Sequence, residues 1–277
     1  MLTEILINVP ATGGPEPAVN YGLSLAKAFG AHATGVSFGL ESIIAPAYFG
    51  AIPGEIIAQI RREAEESARS AADGFMKAAQ GAGVEADARP IVATIDRALD
   101  SFGRLARLYD LTVVGQPNPD RPGPQSDFLQ AALFESGRAV LVVPYIQKKP
   151  MELNRVMIAW DGGRAASRAL AEARPLLAKA KQVEVLVVET GKPDSGQIPA
   201  ADLARHLARH KLKVELRRVL ASSKQEIDET ILNEVSNAGI DLVVMGGYGH
   251  SRLREFVLGG TTRSIIESMT APVLMAH

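Results

Sequence analysis

The feature that most limits how this chain can fold is an internal repeat of its apolar segments. The sequence DLTVVG at 110–115 recurs as DLVVMG at 241–246, 131 positions later. FESGRAVLVV at 134–143 recurs as IESMTAPVLM at 266–275, 132 positions later. Two registers that differ by one residue indicate duplication of one structural unit. The 277-residue length also suits two domains of ordinary size.

Each copy alternates short apolar runs with helical patterns. In the second half, RVMIAW at 155–160 and VEVLVVE at 183–189 are largely apolar, as strands buried on both faces are. The Ala- and Leu-rich stretch at 164–181 has helical spacing. The resulting order, βαβαβαβαβ, predicts an α/β fold with a parallel sheet covered by helices on both faces and right-handed crossovers. The first half repeats this order.

A polar segment separates the two copies. YIQKKPMELN at 145–154 contains two lysines and a proline, which is typical of a linker. We therefore expect one domain at 1–147 and a second at 153–277.

Composition excludes several classes of partner and chemistry. The formal net charge is −1, so we expect no general attraction to nucleic acid or to an anionic membrane. The absence of cysteine excludes disulfides, thiolate catalysis and cysteine-based zinc sites. The amino terminus lacks the basic region of a signal peptide, and no apolar run approaches the ~20 residues of a membrane helix. These features favour a cytoplasmic protein.

The most informative chemical signal is the glycine-rich stretch at 246–262. It begins where a strand ends and finishes where a helix begins. Glycine permits positive φ and close backbone approach, and the free amides of a helix N-terminus attract an anion. The hydroxyls of Thr261 and Thr262 and the guanidinium of Arg252 could contact the same oxygens. His250 could also touch phosphate, although a loop histidine is as readily exposed to solvent.

This pattern resembles the nucleotide-binding loop of universal stress proteins. Gly246, Gly249 and Gly259 have that family's spacing, G-2x-G-9x-G, and the first strand of this half closes in Asp161-Gly162. The whole chain is similar to the tandem form of the family. The resemblance implies two Rossmann-like domains of the adenine nucleotide alpha hydrolase-like type. Each would have a five-stranded parallel sheet, and the two would pair through their last strands.

The same resemblance implies a bound adenine nucleotide: ATP, with magnesium accompanying it, or AMP or ADP. It would lie at the carboxyl ends of the strands, where open α/β sheets bind ligands. Asp161 would approach the adenine. The backbone around Gly246, Gly249 and Gly259 would surround the ribose and phosphates.

Two departures from the family pattern weaken this expectation. Gly260 stands where the family has serine or threonine, although Thr261 follows one place later. Gly163 likewise replaces a hydroxyl residue after Asp161-Gly162. Each lost hydrogen bond to a charged oxygen costs about 1.5–3 kcal/mol.

The first half lacks the residues of a phosphate site. Its segment 116–124 contains four prolines, which supply no N–H groups. Pro10 takes the place of the first-turn aspartate, and Asp127-Phe128 take the places of the last two glycines. A carboxylate there would repel phosphate, so we expect no triphosphate in this half.

Two further signals have structural as well as functional interpretations. The apolar segment 39–53 is either a loop packed over the sheet edge or a lid or partner-docking surface. His206 and His210 lie one helical turn apart, with Asp202 a turn earlier, which can present metal ligands. Arginines flank the pair, so an exposed polar helix face is the better interpretation, and no metal site is predicted.

Three functions are compatible with these features. The first is a stress-response regulatory protein that binds an adenine nucleotide through its second half, with no catalysis beyond slow ATP hydrolysis. The second is a structural or partner-binding protein of the same family with an empty cleft. The third, an adenylating enzyme, usually brings an S-G-G-x-D-S type loop, which the turn W-D-G-G-R does not match. An intrachain pseudo-dimer is the simplest use of the duplication, and a further homodimer is left open.

Overall fold

The structure is a computed structural model that describes residues 1–11, 16–42, 53–189, 200–223, 226–247 and 260–277. The elements of the first half are β1 (Glu4–Asn8), α1 (Pro17–Phe29), β2 (His32–Leu40), α2 (Gly54–Ala82), β3 (Ala86–Ala93), α3 (Ile95–Ala106), β4 (Leu111–Gly115), α4 (Gln125–Glu135) and β5 (Val140–Val143). Those of the second half are β6 (Arg155–Ala159), α5 (Arg164–Leu177), β7 (Gln182–Glu189), α6 (Ala200–Arg209), β8 (Val214–Leu220), α7 (Ile227–Ala238), β9 (Leu242–Gly246), α8 (Gly260–Ser268) and β10 (Val273–Ala276).

All ten strands described form one sheet, in the order β3-β2-β1-β4-β5-β10-β9-β6-β7-β8. Within each half every strand pair is parallel, and both halves share the order third-second-first-fourth-fifth. The fifth strands meet antiparallel, with Leu274 opposite Leu141 and Val273 opposite Val142. The predicted α/β fold, with a five-stranded parallel sheet in each half, is confirmed.

Helices cover both faces of the sheet and enclose two apolar cores. One core contains side chains from α1, α2, α5 and α6, and the other contains side chains from α3, α4, α7 and α8. Each core includes residues of both halves, such as Leu141 and Leu274 on one face and Val142 and Val273 on the other. Burial of apolar surface is the main favourable term in folding, so the two halves share their stabilisation.

An aspartate at the equivalent position of each half anchors the amino end of that half's first strand. Asp110 Oδ2 accepts hydrogen bonds from the amides of Thr3, at 2.7 Å, and Glu4, at 3.1 Å. In the second half, Asp241 Oδ2 accepts from the Arg155 amide at 2.8 Å. The repeated D-L-x-V-x-G pattern therefore encodes both a buried strand and the hydrogen bond that fixes the neighbouring strand.

The predicted linker is packed against the domains at its carboxyl-terminal end. The Met151 amide donates to Ser24 Oγ at 2.7 Å, and the Leu153 side chain is buried. Lys148 and Lys149, by contrast, are exposed.

Helix α7 begins at Ile227, and Glu226 precedes it as the N-cap residue without a side-chain capping hydrogen bond. Segment 39–53 falls mostly outside the described residues, which leave out 43–52. No helix within the described ranges combines the length and apolar character that crossing a bilayer requires.

Candidate functional site

The carboxyl edge of the second half is built around Gly246, the last residue of β9. A Cβ at this position would lie 2.5 Å from the backbone nitrogen of Ala166 and 2.8 Å from the carbonyl carbon of Ala165. Glycine therefore brings the first turn of α5 against the strand end. Neither Gly246 nor Gly247 has a positive φ, so the left-handed freedom expected of them is not used. The close backbone approach that glycine permits here is between β9 and α5 of this chain.

Asp161 lies at the same edge, two residues after β6, which pairs directly with β9. Its Oδ1 accepts a 2.7 Å hydrogen bond from the Gly163 amide, closing a turn in which Gly162 has φ 74°. A Cβ at Gly163 would lie 3.0 Å from Oδ1, so glycine leaves room for the carboxylate to fold over the turn. The aspartate is exposed and begins the approach to α5.

Helix α8 begins at Gly260, which is exposed and has no atom within 4 Å of the position a Cβ would take. Thr261 is half-buried and Thr262 is buried, so Thr261 is the more accessible of the two hydroxyl residues. No acidic residue lies in the first turn of α8 or of α5. The partial positive charge of each helix N-terminus is thus unopposed within its own first turn.

Four of the predicted site residues lie outside the described part of the chain. They are Gly249, His250, Arg252 and Gly259. The five that the structure does describe are distributed over the β6–α5 turn, the end of β9 and the start of α8: Asp161, Gly246, Gly260, Thr261 and Thr262.

The equivalent edge of the first half differs in its backbone. In segment 116–124, the amide of Arg121 donates to the Asn118 carbonyl at 3.1 Å, and that of Asp120 donates to Asn118 Oδ1 at 2.9 Å. The Gln116 amide donates to the Val143 carbonyl at 2.8 Å. Together with four prolines, these bonds leave few free amides along this segment.

Gln116 was not identified from the sequence as a functional candidate. It follows β4, is 4% exposed, and its Nε2 donates to the carbonyls of Ile266, at 2.7 Å, and Glu267, at 3.2 Å. Its Oε1 accepts from the Tyr145 amide at 3.2 Å. A first-half side chain thus holds the C-terminal end of α8. The signal for it was a polar residue where the repeat has Gly247.

The histidine pair on α6 lies on an exposed helix face beside an arginine. His206 and His210 are both exposed, and their rings are 4.8 Å apart. His210 Nε2 lies 3.2 Å from Arg174 Nη2, a cationic neighbour that disfavours metal binding. Among the described residues, no three His, Cys, Asp or Glu side chains are grouped to hold a metal ion.

The strand order and the edge define the class of protein: an open, parallel α/β protein of the Rossmann-like type, duplicated within one chain. Comparison with known proteins agrees. The sequence model of the universal stress protein family matches residues 152–277. Residues 152–277 are therefore similar to the universal stress protein family, and this match covers a little under half of the chain.

Individual relatives extend this likeness. A universal stress protein of Synechocystis is 28% identical over 184 residues, which span 64% of this chain and 61% of that protein. One of Bacillus subtilis is 26% identical over 147 residues, spanning 45% of this chain and 99% of that protein. The crystal structure of a universal stress protein from Archaeoglobus fulgidus has a TM-score of 0.71 at 17% identity, covering 98% of this chain and 97% of that one. At that identity the likeness shows the shared fold.

Proposed function

We propose that this chain is a stress-response regulatory protein that binds an adenine nucleotide through residues 153–277. The observation that carries the proposal is the difference between the two carboxyl edges. Helix α8 starts at an exposed glycine with no acid in its first turn. Its counterpart α4 follows Pro124 and carries Asp127 in its first turn. An anion is favoured at the first helix end and opposed at the second.

In this proposal, different residues contact different parts of the nucleotide. Asp161, exposed beside the N-terminus of α5, would meet the adenine. Gly246 and the start of α8 from Gly260 to Thr261 would surround ribose and phosphates. Gly249, His250, Arg252, Gly259 and Thr262 complete the proposed set. ATP would bring magnesium, while AMP or ADP would bind without it.

The proposed role is regulatory. The sequence motif names no general base or arginine finger for phosphoryl transfer, so we expect any ATP hydrolysis at this site to be slow. Nucleotide binding would instead stabilise the second half by mass action. Residues 1–147 would then be a degenerate copy that pairs with the binding domain as an intrachain pseudo-dimer, in the cytoplasm. A measurement of molecular mass in solution would distinguish a monomer from a homodimer of the whole chain.

A second candidate is a partner-binding protein with an empty cleft. Two observations favour it. Gly260 provides no hydroxyl to a phosphate. Asp161 Oδ1 already accepts a hydrogen bond within its own turn.

Introducing an acid at the start of α8 separates the two candidates. Thr261→Asp places a carboxylate where phosphate would bind, yet a helix N-terminus tolerates or welcomes that charge. We expect the variant to fold as stably as the parent while its affinity for ATP falls at least tenfold in isothermal titration calorimetry. Ser126→Asp, at the second position of α4, is the matched control and should leave ATP affinity unchanged.

Mass spectrometry of the purified chain provides an independent measurement. A retained adenine nucleotide in the parent, absent from Thr261→Asp, would support binding. No retained nucleotide, together with no thermal shift at millimolar Mg-ATP or AMP, would favour the empty-cleft candidate. At a concentration 100 times its Kd, a ligand adds about 2.7 kcal/mol to stability, so binding at that level would be visible in the melting temperature.

A further inference from the structure

The carboxyl edge of the first half contains a cavity of about 520 Å³. The ends of β1 and β2 form its floor, and α2 and the first turn of α4 form its sides. This volume lies in the range of pockets that enclose small organic molecules. The loss of a phosphate cradle in this half has therefore not closed the cleft.

The wall of this cavity is mainly apolar. Phe38 and Phe128 stack at its base with ring centroids 5.1 Å apart, and Val9 and Ile60 add aliphatic surface. Phe128 occupies the position at which the second half has an exposed glycine. Aromatic surface of this kind favours a flat, apolar ligand.

The charges around the cavity disfavour an anion. Among the described residues that line it, none is Lys, Arg or His, and the charged one is Glu63. The Glu63 carboxylate already accepts a 2.9 Å hydrogen bond from Gln59. Asp127 opposes the partial positive charge at the nearby start of α4.

Two carboxamide side chains line this apolar wall. Asn8, the last residue of β1, is 3% exposed. Gln125, the first residue of α4, has a buried Oε1 without a hydrogen-bond partner. Buried polar groups are nearly always hydrogen-bonded, so an unpaired amide in a cavity wall indicates an external partner. The counterpart of Asn8 in the second half is Ala159, which means that the repeat does not require an amide at that position.

We propose that this cavity binds an uncharged, flat, mainly apolar small molecule that carries an amide or lactam edge. The Asn8 carboxamide would donate one hydrogen bond to that edge and accept another from it. The apolar body would pack on Phe38 and Phe128. This site is separate from the proposed nucleotide site of the second half, and neither proposal depends on the other.

A pair of matched probes tests the proposal on the full-length chain. 2-Naphthamide and 2-naphthoate have the same ring system and differ in the edge and its charge. We expect the amide to bind at least tenfold more tightly than the carboxylate by titration calorimetry or ligand-observed NMR. Equal affinities, or tighter binding of the carboxylate, would overturn the proposal.

Two variants locate the binding. Asn8→Leu should weaken 2-naphthamide at least fivefold, while the matched change Ala159→Leu should leave it unaltered if the variant's melting temperature shows that it is folded. Leu40→Arg adds a cation at a partly exposed wall position and should reverse the preference in favour of 2-naphthoate. Retention of the parent's preference in a folded Leu40→Arg variant would show that the probes bind elsewhere and would refute the assignment.

Discussion

At the scale of single residues, Gly246 and Gly115 occupy equivalent positions of the repeat but differ in how closely a helix packs against them. A Cβ at Gly246 would lie 2.5 Å from the Ala166 nitrogen, whereas one at Gly115 would meet the Ala18 Cβ at an ordinary 3.6 Å. The second half therefore brings its helix closer to the strand end than the first half does. The tighter contact accompanies the half that keeps the glycine-rich loop.

This difference predicts unequal effects of the same substitution. Gly246→Ala should lower the free energy of unfolding by about 1–3 kcal/mol, because backbone atoms of α5 must move. Gly115→Ala should change the free energy of unfolding by no more than about 0.5 kcal/mol, since the added methyl group would make only an ordinary van der Waals contact. Urea denaturation of both variants measures the difference, and equal losses would contradict the packing argument.

At Gly260, by contrast, a substitution is expected to improve a property, the affinity for ATP. Restoring the family's hydroxyl with Gly260→Ser creates no clash, because no atom lies within 4 Å of the new Cβ. If the proposed nucleotide site is correct, one added hydrogen bond to a charged oxygen contributes about 1.5–3 kcal/mol, which is at least a tenfold gain in ATP affinity.

The control for this variant is Gly54→Ser. Gly54 is also an exposed first residue of a helix with open space around it, but it lies at the start of α2. Calorimetric titration should find its ATP affinity unchanged. An unchanged affinity in Gly260→Ser would favour the empty cleft.

Asp110 links stability to acid pH. Burial alone would raise the pKa of this carboxyl, but hydrogen bonds from Thr3 and Glu4 and the charge of Arg138 outweigh burial and lower it. A lowered pKa means that the folded state holds the carboxylate ionised. The stabilisation is therefore present above the ordinary aspartate pKa of about 3.9 and is lost as the pH falls through the lower folded value.

Asp110→Asn should show this dependence directly. At neutral pH the variant should be less stable than the parent by about 1 kcal/mol, a modest figure because the group is partly exposed to solvent. The gap should narrow as the pH falls below about 4. Chemical denaturation at a series of pH values checks both, and a gap that stays constant would exclude the linkage.

At the scale of elements, α8 is held from the opposite half. Its N-terminal end belongs to the proposed nucleotide site, and its C-terminal end is bound by Gln116. A side chain in the first half can thus influence the helix that would meet the phosphates. This contact gives the first half a physical role in holding a helix of the second half.

Gln116→Leu tests that role. The substitution leaves the Tyr145 amide and the carbonyls of Ile266 and Glu267 without their partner, at an expected cost of about 1–3 kcal/mol. Hydrogen exchange should accelerate most in α8 and in the turn around Tyr145. Uniform acceleration over both halves, with no excess in α8, would contradict a local anchoring role.

At the scale of the whole molecule, the two halves form one folding unit built on a continuous sheet. The antiparallel contact between β5 and β10 covers what would otherwise be two open strand edges, and both apolar cores cross it. Domains that share cores in this way resist separation. We therefore expect the covalent linker to contribute little to their association.

Cleavage of the linker provides the corresponding prediction. A protease site placed between the exposed residues Lys148 and Lys149 should yield two fragments that elute together in size-exclusion chromatography without denaturant. They should separate in urea. Separation under native conditions would show that the β5–β10 contact is too weak to hold the halves.

Much of the fold followed from local patterns in the sequence. A strand that is buried on both faces needs a continuous apolar run, as at 155–160 and 241–246. Such a run is only a few residues long, so it can be recognised from local sequence. The duplication then indicated that the second half repeats the first. For the site, the glycine spacing marked Gly246 as a special position, because only glycine lacks a Cβ, and the departure from the family pattern drew attention to Gly260.

The tertiary structure decided which groups meet. Gly246 contacts the backbone of α5, Gln116 crosses to α8, and Asn8 lines a cavity, and each of these depends on segments far apart in the chain. Helix and strand periodicities report which face of an element is buried but not which partner covers it. For that reason the sequence by itself determined the repeated α/β architecture and, through its resemblance to a family, the pairing of the last strands. The close packing at Gly246, the Gln116 contact between the halves and the first-half cavity emerged only when the chain was folded.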